Sequence, residues 1–259
     1  MAAFFTRYYR LSVLCLGLTL CCAFAWAAGP LACPRCISPK VIDGRLDDWP
    51  ESSLLLDGAY WRPLPNVPAI YGGLYDLSGT VQLAWDAQRL YVAVTVVDDV
   101  FLPARQTPID TGDAVLLIFA PSLPSARPLQ FAFTLAPITQ VYGRDGKGYW
   151  TPLRPVRIGV SRLILATPKT PLPHERTKTM PAHITKIIYE LAIPWVCLPG
   201  FTAKPQTILG LQVQMLDADG PALRGSLLWR GGRGVPVTPA GYGQVLLSAA
   251  TPAAGKPAK

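Results

Sequence analysis

Residues 79–120 read GTVQLAWDAQRLYVAVTVVDDVFLPARQTPIDTGDAVLLIFA. Residues 80–85 alternate, with Val81, Leu83 and Trp85 on one face. Residues 90–97 form a longer run, with Leu90, Val92, Val94 and Val96 on one side and Tyr91, Ala93, Thr95 and Val97 on the other. A period of two, β-branched residues and polar ends predict strands. The connection Asp86-Ala87-Gln88-Arg89 is short and polar, so the two strands are predicted to form a hairpin. Asp98-Asp99 stops the second strand, and residues 113–119 resume as a third after a Pro-punctuated loop. The second and third strands carry apolar residues on both faces, which places them inside a packed β structure.

The same alternation continues outward. Residues 129–135 predict a strand with 138–142 as its partner, 156–166 and 184–193 two more, and 208–216, 227–229 and 244–247 the last. The 27 prolines and 22 glycines punctuate short segments. Together these predict an all-β, two-sheet antiparallel β-sandwich. Residues 54–79 are more irregular and read as a long loop or an edge strand. Trp61 and Tyr71 lie there among Pro63, Pro65 and Pro68. Such aromatics either offer a ligand platform or tuck back onto the domain, and the same two readings apply to Trp150 beyond the Asp145-Gly146 turn.

Arg7 and Arg10 precede the uncharged run 11–28, which ends in small residues; this predicts a secretory signal peptide and a secreted or periplasmic protein. An uncleaved anchor is the alternative. The expected organisation is a signal peptide at 1–28, a short N-terminal segment at 29–39, a sandwich domain at 40–248 and a disordered tail at 249–259. Cys33-Pro34-Arg35-Cys36 in the short segment is expected to close a local disulfide, with pairing to Cys197 or a metal, redox or lipid role as alternatives.

The formal charge is +8, but the basic residues are scattered and do not alternate with aromatics, so no nucleic-acid platform is read. Contact with a membrane is expected only through an uncleaved anchor or lipidation. His174 and His183 are nine apart across a polar loop, which is not a metal-site spacing. There is no nucleophile elbow and no phosphate-binding Gly loop, and no catalytic residue is assigned. Asp98, Asp99 and Asp113 flank one loop and could share a cation, calcium being the oxygen-liganded choice; an ordinary turn role is the alternative. Asp217-Ala218-Asp219-Gly220 carries the same two readings.

Four pieces in order resemble the family 9 carbohydrate-binding modules and the related DOMON-like sandwiches. They are the opening Ile42-Asp43-Gly44-Arg45-Leu46-Asp47-Asp48-Trp49, the hairpin Trp85-Asp86 with Leu90-Tyr91-Val92, the strand start Asp113-Ala114-Val115, and Glu190-Leu191-Ala192-Ile193-Pro194-Trp195. Within them Asp43, Gly44, Trp49, Trp85, Asp86, Tyr91, Asp113, Glu190 and Trp195 are the motif positions. The resemblance implies a non-catalytic, sugar-binding sandwich that grips a terminal sugar between two Trp rings. Those rings should fall near Ile109-Asp110 and Pro236, where this chain has no aromatic. The family's strand Glu is Leu116 here, and its polar strand positions hold Ala132 and Thr134. A bound sugar would therefore rest on other aromatics, Trp61, Tyr71, Trp150 or Trp229. Two further expectations stand beside carbohydrate: an envelope protein partner, and haem b as in some DOMON-like domains, with Met180, Met215, Lys186 and Lys204 available as ligands.

Overall fold

The alternation around Asp86 folds into the expected hairpin. Leu77–Trp85 (β4) and Arg89–Asp98 (β5) are antiparallel, in a register running from Trp85↔Leu90 to Leu77↔Asp98. Asp86 builds the turn: its Oδ1 accepts from the Gln88 and Arg89 N–H groups, each at 2.7 Å, and its Oδ2 accepts from the Tyr91 hydroxyl at 2.7 Å. One face of the hairpin presents Val81, Leu83, Trp85, Leu90, Val92 and Val94 to the main core. The other presents Ala84, Tyr91 and Ala93 to a smaller cluster with Trp49 and Ala192.

The computed structural model describes residues 29–51, 53–65, 67, 69–104, 108, 111–120, 128–135, 140–145, 147–166, 182–230 and 241–249. The expected signal peptide, the tail from 250, and Ile109, Asp110, His174, Met180 and Pro236 lie outside them. The other strands are Leu31–Pro34 (β1), Leu54–Leu56 (β2), Trp61–Pro63 (β3), Val115–Ala120 (β6), Leu129–Phe133 (β7), Tyr142–Arg144 (β8), Trp150–Pro152 (β9), Arg157–Ala166 (β10), His183–Pro194 (β11), Ile208–Asp217 (β12), Gly225–Trp229 (β13) and Gly243–Ser248 (β14).

They form two sheets. The five-stranded sheet runs β10-β11-β5-β4-β2. The nine-stranded sheet runs β1-β14-β12-β6-β7-β8-β9, with β13 also on β12 and β3 on β13. One edge of β12 pairs with β6; the other is shared between β14, along Ile208–Leu211, and β13, along Val213–Asp217. Among the described residues all ladders between strands are antiparallel except β1 on β14. Leu117, Phe119, Phe131, Phe133, Leu211, Val213 and Val245 from the nine-stranded sheet meet the hairpin and Ile187, Tyr189 and Leu191 of β11 in one core. Each such side chain stabilises the fold by about 1.5–3 kcal/mol when fully buried. The two-sheet sandwich predicted from the alternation is thus the observed architecture. Among the described residues no helix is long and apolar enough to cross a membrane.

Two expectations change. The segment 29–39 is not a preamble to the sandwich: Leu31–Pro34 is a strand within it, and Arg35 bridges to Trp85 on the opposite sheet. The Cys33–Cys36 disulfide is not formed; Cys33, Cys36 and Cys197 are free thiols. The physical reason is the pleat. On extended backbone, residues three apart point to opposite sides. Cys33 enters the main core, where burial pushes its thiol pKa well above the ordinary range. Cys36 packs against the Trp49–Tyr91 cluster and donates to the Trp85 carbonyl at 3.2 Å.

The irregular stretch 54–79 contributes short β2 and β3, with a 3-10 turn at Gly58–Tyr60 between them. The opening motif is placed by one glycine. Gly44 has φ +83°, and a Cβ there would lie 2.9 Å from the Ser161 nitrogen and from the Val160 carbonyl carbon. Gly44→Ala is therefore expected to cost about 2 kcal/mol or more, since both the left-handed backbone and the close approach oppose it. A urea unfolding curve with a lowered midpoint and an unchanged slope checks this.

Candidate metal centre and aromatic rim

Three aspartates converge where the two sheets meet at one end. Asp98 ends β5 in the five-stranded sheet, Asp217 ends β12 in the other, and Asp113 precedes β6. Each is buried, and one carboxylate oxygen from each lies within 4.8 Å of the others. Asp113 is held from three sides. Its Oδ1 accepts from the Ala218 N–H at 2.7 Å, its Oδ2 from the Leu102 N–H, and its carbonyl from the Thr134 hydroxyl at 2.5 Å. Asp98 Oδ1 accepts from the Val100 N–H at 2.8 Å. The remaining oxygens, Asp98 Oδ2 and both of Asp217, are buried without a hydrogen-bond partner.

Buried, unsatisfied carboxylate oxygens are costly. Burial, with the charge of Asp113 adding to it, raises the Asp98 pKa to about 9. Burial raises Asp113 to about 7 against its two backbone hydrogen bonds, and Asp217 to about 7 against the pull of Arg224. A second triad, Asp76, Asp99 and Asp219, adjoins the first. Arg224 serves this side: it pairs with Asp219, with Asp76 at 3.3 Å and with Asp217 at 3.7 Å, and donates to the Ile70 carbonyl at 3.2 Å. The guanidinium thus serves the outer triad and reaches the inner one only at Asp217. An all-oxygen, buried, anionic donor set with orphaned oxygens fits a hard divalent cation such as calcium.

Of the residues expected from sequence to bind metal, Asp98 and Asp113 come together, but Asp99 belongs to the neighbouring triad. Successive residues on β backbone point apart, and this separates it from Asp98. Asp217, read from sequence as part of a separate acidic turn with its own cation and ordinary-turn readings, completes the inner set.

The aromatics separate as well. Trp61 and Tyr71 are partly buried against the main core, with ring centroids 5.6 Å apart, and the Tyr71 hydroxyl donates to the Leu77 carbonyl at 2.8 Å. Trp229 is 7% exposed and packs inside the core, with its ring against Gly243. It offers no free face, which corrects its expectation as a platform. Trp150 is half-buried at the start of β9, on the face of the nine-stranded sheet turned away from the core. The Arg144 guanidinium lies 5.4 Å from its ring centroid, and exposed Tyr149 precedes it. Beside Trp150 lie Ala114, Leu116, Ala132 and Leu216, an apolar cluster. Of the residues considered for haem, Met215 is fully buried in the core with its sulfur against Gly79.

No family profile and no curated protein matches the chain. Solved structures do. A family 9 carbohydrate-binding module from Caldicellulosiruptor kristjanssonii in complex with glucose aligns at 18% identity and TM-score 0.50, covering 87% of this chain and 99% of that one. The same organism's family 9 module in complex with cellotriose aligns at 18% identity and TM-score 0.48, covering 88% and 98%. A provisionally named carbohydrate-binding protein from Bacteroides uniformis aligns at 12% identity and TM-score 0.52, covering 84% and 98%. The fold is that of a family 9 carbohydrate-binding module.

On this family 9 fold the motif residues hold structure together. Buried Glu190 on β11 accepts from the Asp43 N–H at 2.8 Å, from the Gly44 N–H, and from Trp49 Nε1 at 2.5 Å. One carboxylate thereby pins the opening motif across the five-stranded sheet. Burial pushes the Glu190 pKa up, and the bonds from Gly44, Trp49 and Asp43 oppose it. Trp85 Nε1 donates to the Ser248 carbonyl and Trp195 Nε1 to the Asp86 carbonyl, each at 2.9 Å. In contrast, Leu116 and Ala132, where the resemblance implies polar sugar contacts, form part of the apolar cluster under Trp150.

Proposed function

We propose that this chain is a non-catalytic carbohydrate-binding module, acting outside the cytosol after export led by residues 1–28. The observation that carries this reading is the fold likeness, over 87% of the chain, to a family 9 module in complex with glucose. The proposed platform is Trp150, assisted by Tyr149, on the outer face of the nine-stranded sheet. An indole face stacks on sugar C–H surfaces, while neighbouring polar groups orient the hydroxyls; Arg144 and Gln130, 3.4 Å apart, are the nearest such pair. A calcium ion at Asp98, Asp113 and Asp217 belongs to the proposal as a structural brace. Asp98 at the end of β5, Asp217 at the end of β12 and Asp113 before β6 would hold it, and it would supply the positive charge that their carboxylates lack. The chain's own residues do the remaining work: Asp113 fixes the two adjoining loops through their N–H groups, and Arg224 neutralises the outer carboxylates.

Calorimetry or affinity electrophoresis against soluble xylan, glucan and mannan fragments tests the reading. Binding to at least one is expected, with Trp150→Ala weakening it about tenfold, the loss of one stacked ring. Silence across the panel would overturn the proposal. Binding unchanged in Trp150→Ala would move the platform elsewhere.

A further inference from the structure

Among the described residues strand β10 is the open edge of the five-stranded sheet, pairing with β11 along all ten residues from Arg157↔Ala192 to Ala166↔His183. Its first half is covered: Gly159 and Ser161 lie against the Ile42–Gly44 backbone, and the Ser161 hydroxyl donates to the Gly44 carbonyl at 2.8 Å. From Arg162 to Ala166 every residue is exposed. Leu163 is 48%, Ile164 67% and Leu165 40% exposed, so both faces of this half-strand present apolar side chains to solvent. An edge with unpaired backbone groups and consecutive exposed apolar side chains is a template for strand addition. Natural edges carry charges, prolines or bulges against it; here the five residues hold only one charge, Arg162.

We propose that the occupant is a second copy of this chain, pairing β10 antiparallel to β10 about a two-fold axis at Ile164. The sequence is its own complement in that register. Leu163 faces Leu165 of the second copy, Ile164 faces Ile164, and Arg162 faces Ala166, so every central cross-strand pair is apolar. A positively charged chain ordinarily repels its copy. Here the two-fold sets neither Arg162 opposite the other, and each guanidinium already lies 5.5 Å from the Phe101 ring centroid. The product is a ten-stranded sheet with one sandwich on each side of the axis.

Sedimentation of the full chain over a concentration series reads this directly. The wild type is expected to reach twice the monomer mass by about 0.1 mM, as a dissociation constant of micromolar order requires. Ile164→Lys, at an exposed position, puts two ammonium groups face to face and is expected to stay at monomer mass with an unchanged circular dichroism spectrum. Ile164→Cys supplies a second, independent readout. Directly opposed residues of an antiparallel pair have Cα atoms about 4.5–5.5 Å apart, within disulfide range. It is expected to give a reducible cross-linked dimer, while Ile70→Cys, exposed elsewhere, is not. A wild type that remains monomeric, an Ile164→Lys dimer, or equal cross-linking by the two cysteine variants would each overturn the proposal. None of these outcomes depends on whether a sugar is bound.

Discussion

Calcium added to chelator-treated protein at pH 8 is expected to raise its unfolding midpoint by roughly 5–10 °C. The arithmetic is that of linkage. At about a hundredfold the dissociation constant, a ligand of the native state alone stabilises it by about 2.7 kcal/mol, and a domain of this size gains roughly 2–4 °C per kcal/mol. The pH dependence gives the test its sign. Asp98, Asp113 and Asp217 have folded-state pKa values of about 9, 7 and 7, all above the unfolded value near 4. Between those limits the native, cation-free protein holds more protons than the unfolded chain, so its stability falls as pH rises. It should be greatest near pH 4–5 on this account and decline through 7 towards 9. Calcium requires the ionised carboxylates, so its stabilisation grows over the same interval and the two curves diverge. Asp98→Asn keeps an oxygen for the Val100 N–H but removes the proton uptake that folding at pH 8 imposes on Asp98. It is expected to make the cation-free protein at pH 8 at least as stable as the wild type and to abolish the calcium increment. Differential scanning calorimetry from pH 5 to 8, with chelator and with calcium, separates these outcomes. An increment that is absent at pH 8, or that survives in Asp98→Asn, would remove the cation from the proposal.

The second large effect belongs to Glu190. Glu190→Ala is expected to lower the unfolding free energy by about 3–5 kcal/mol, because it strands the Asp43 and Gly44 N–H groups and the Trp49 indole N–H together. Each unsatisfied buried donor costs about 1–3 kcal/mol, and water entering the vacated space recovers part of the sum. Glu190→Gln retains an acceptor oxygen and should lose less than half as much. Urea titration followed by tryptophan fluorescence measures both. Equal losses for the two substitutions would mean that packing, rather than acceptance of these bonds, is what the side chain provides.

Much of the sandwich was legible because its signals are local. Alternation over 77–98, with Asp86 accepting from the two N–H groups that follow it, needs nothing from the rest of the chain. Strand β1 was not legible: it has four residues, ends in a proline, and is defined only by its parallel partner more than two hundred positions away. The disulfide expectation rested on proximity in sequence. The odd spacing of Cys33 and Cys36 would have argued against it had the segment been read as extended. The acid centre was half legible. Asp98 and Asp113 flank one loop, but Asp217 joins them only because the end of β12 meets the end of β5 across the two layers. The apolar cluster under Trp150 was visible as the substitutions Leu116 and Ala132, though not as a single surface.

The parallel ladder of β1 on β14 has a mechanical meaning. Strands β1 and β14 lie side by side and point the same way, with Leu31 beside Val245 and Pro34 beside Ser248. Tension applied to the two ends of the domain therefore slides these neighbours along each other and loads their four residue pairs together, instead of unzipping them singly.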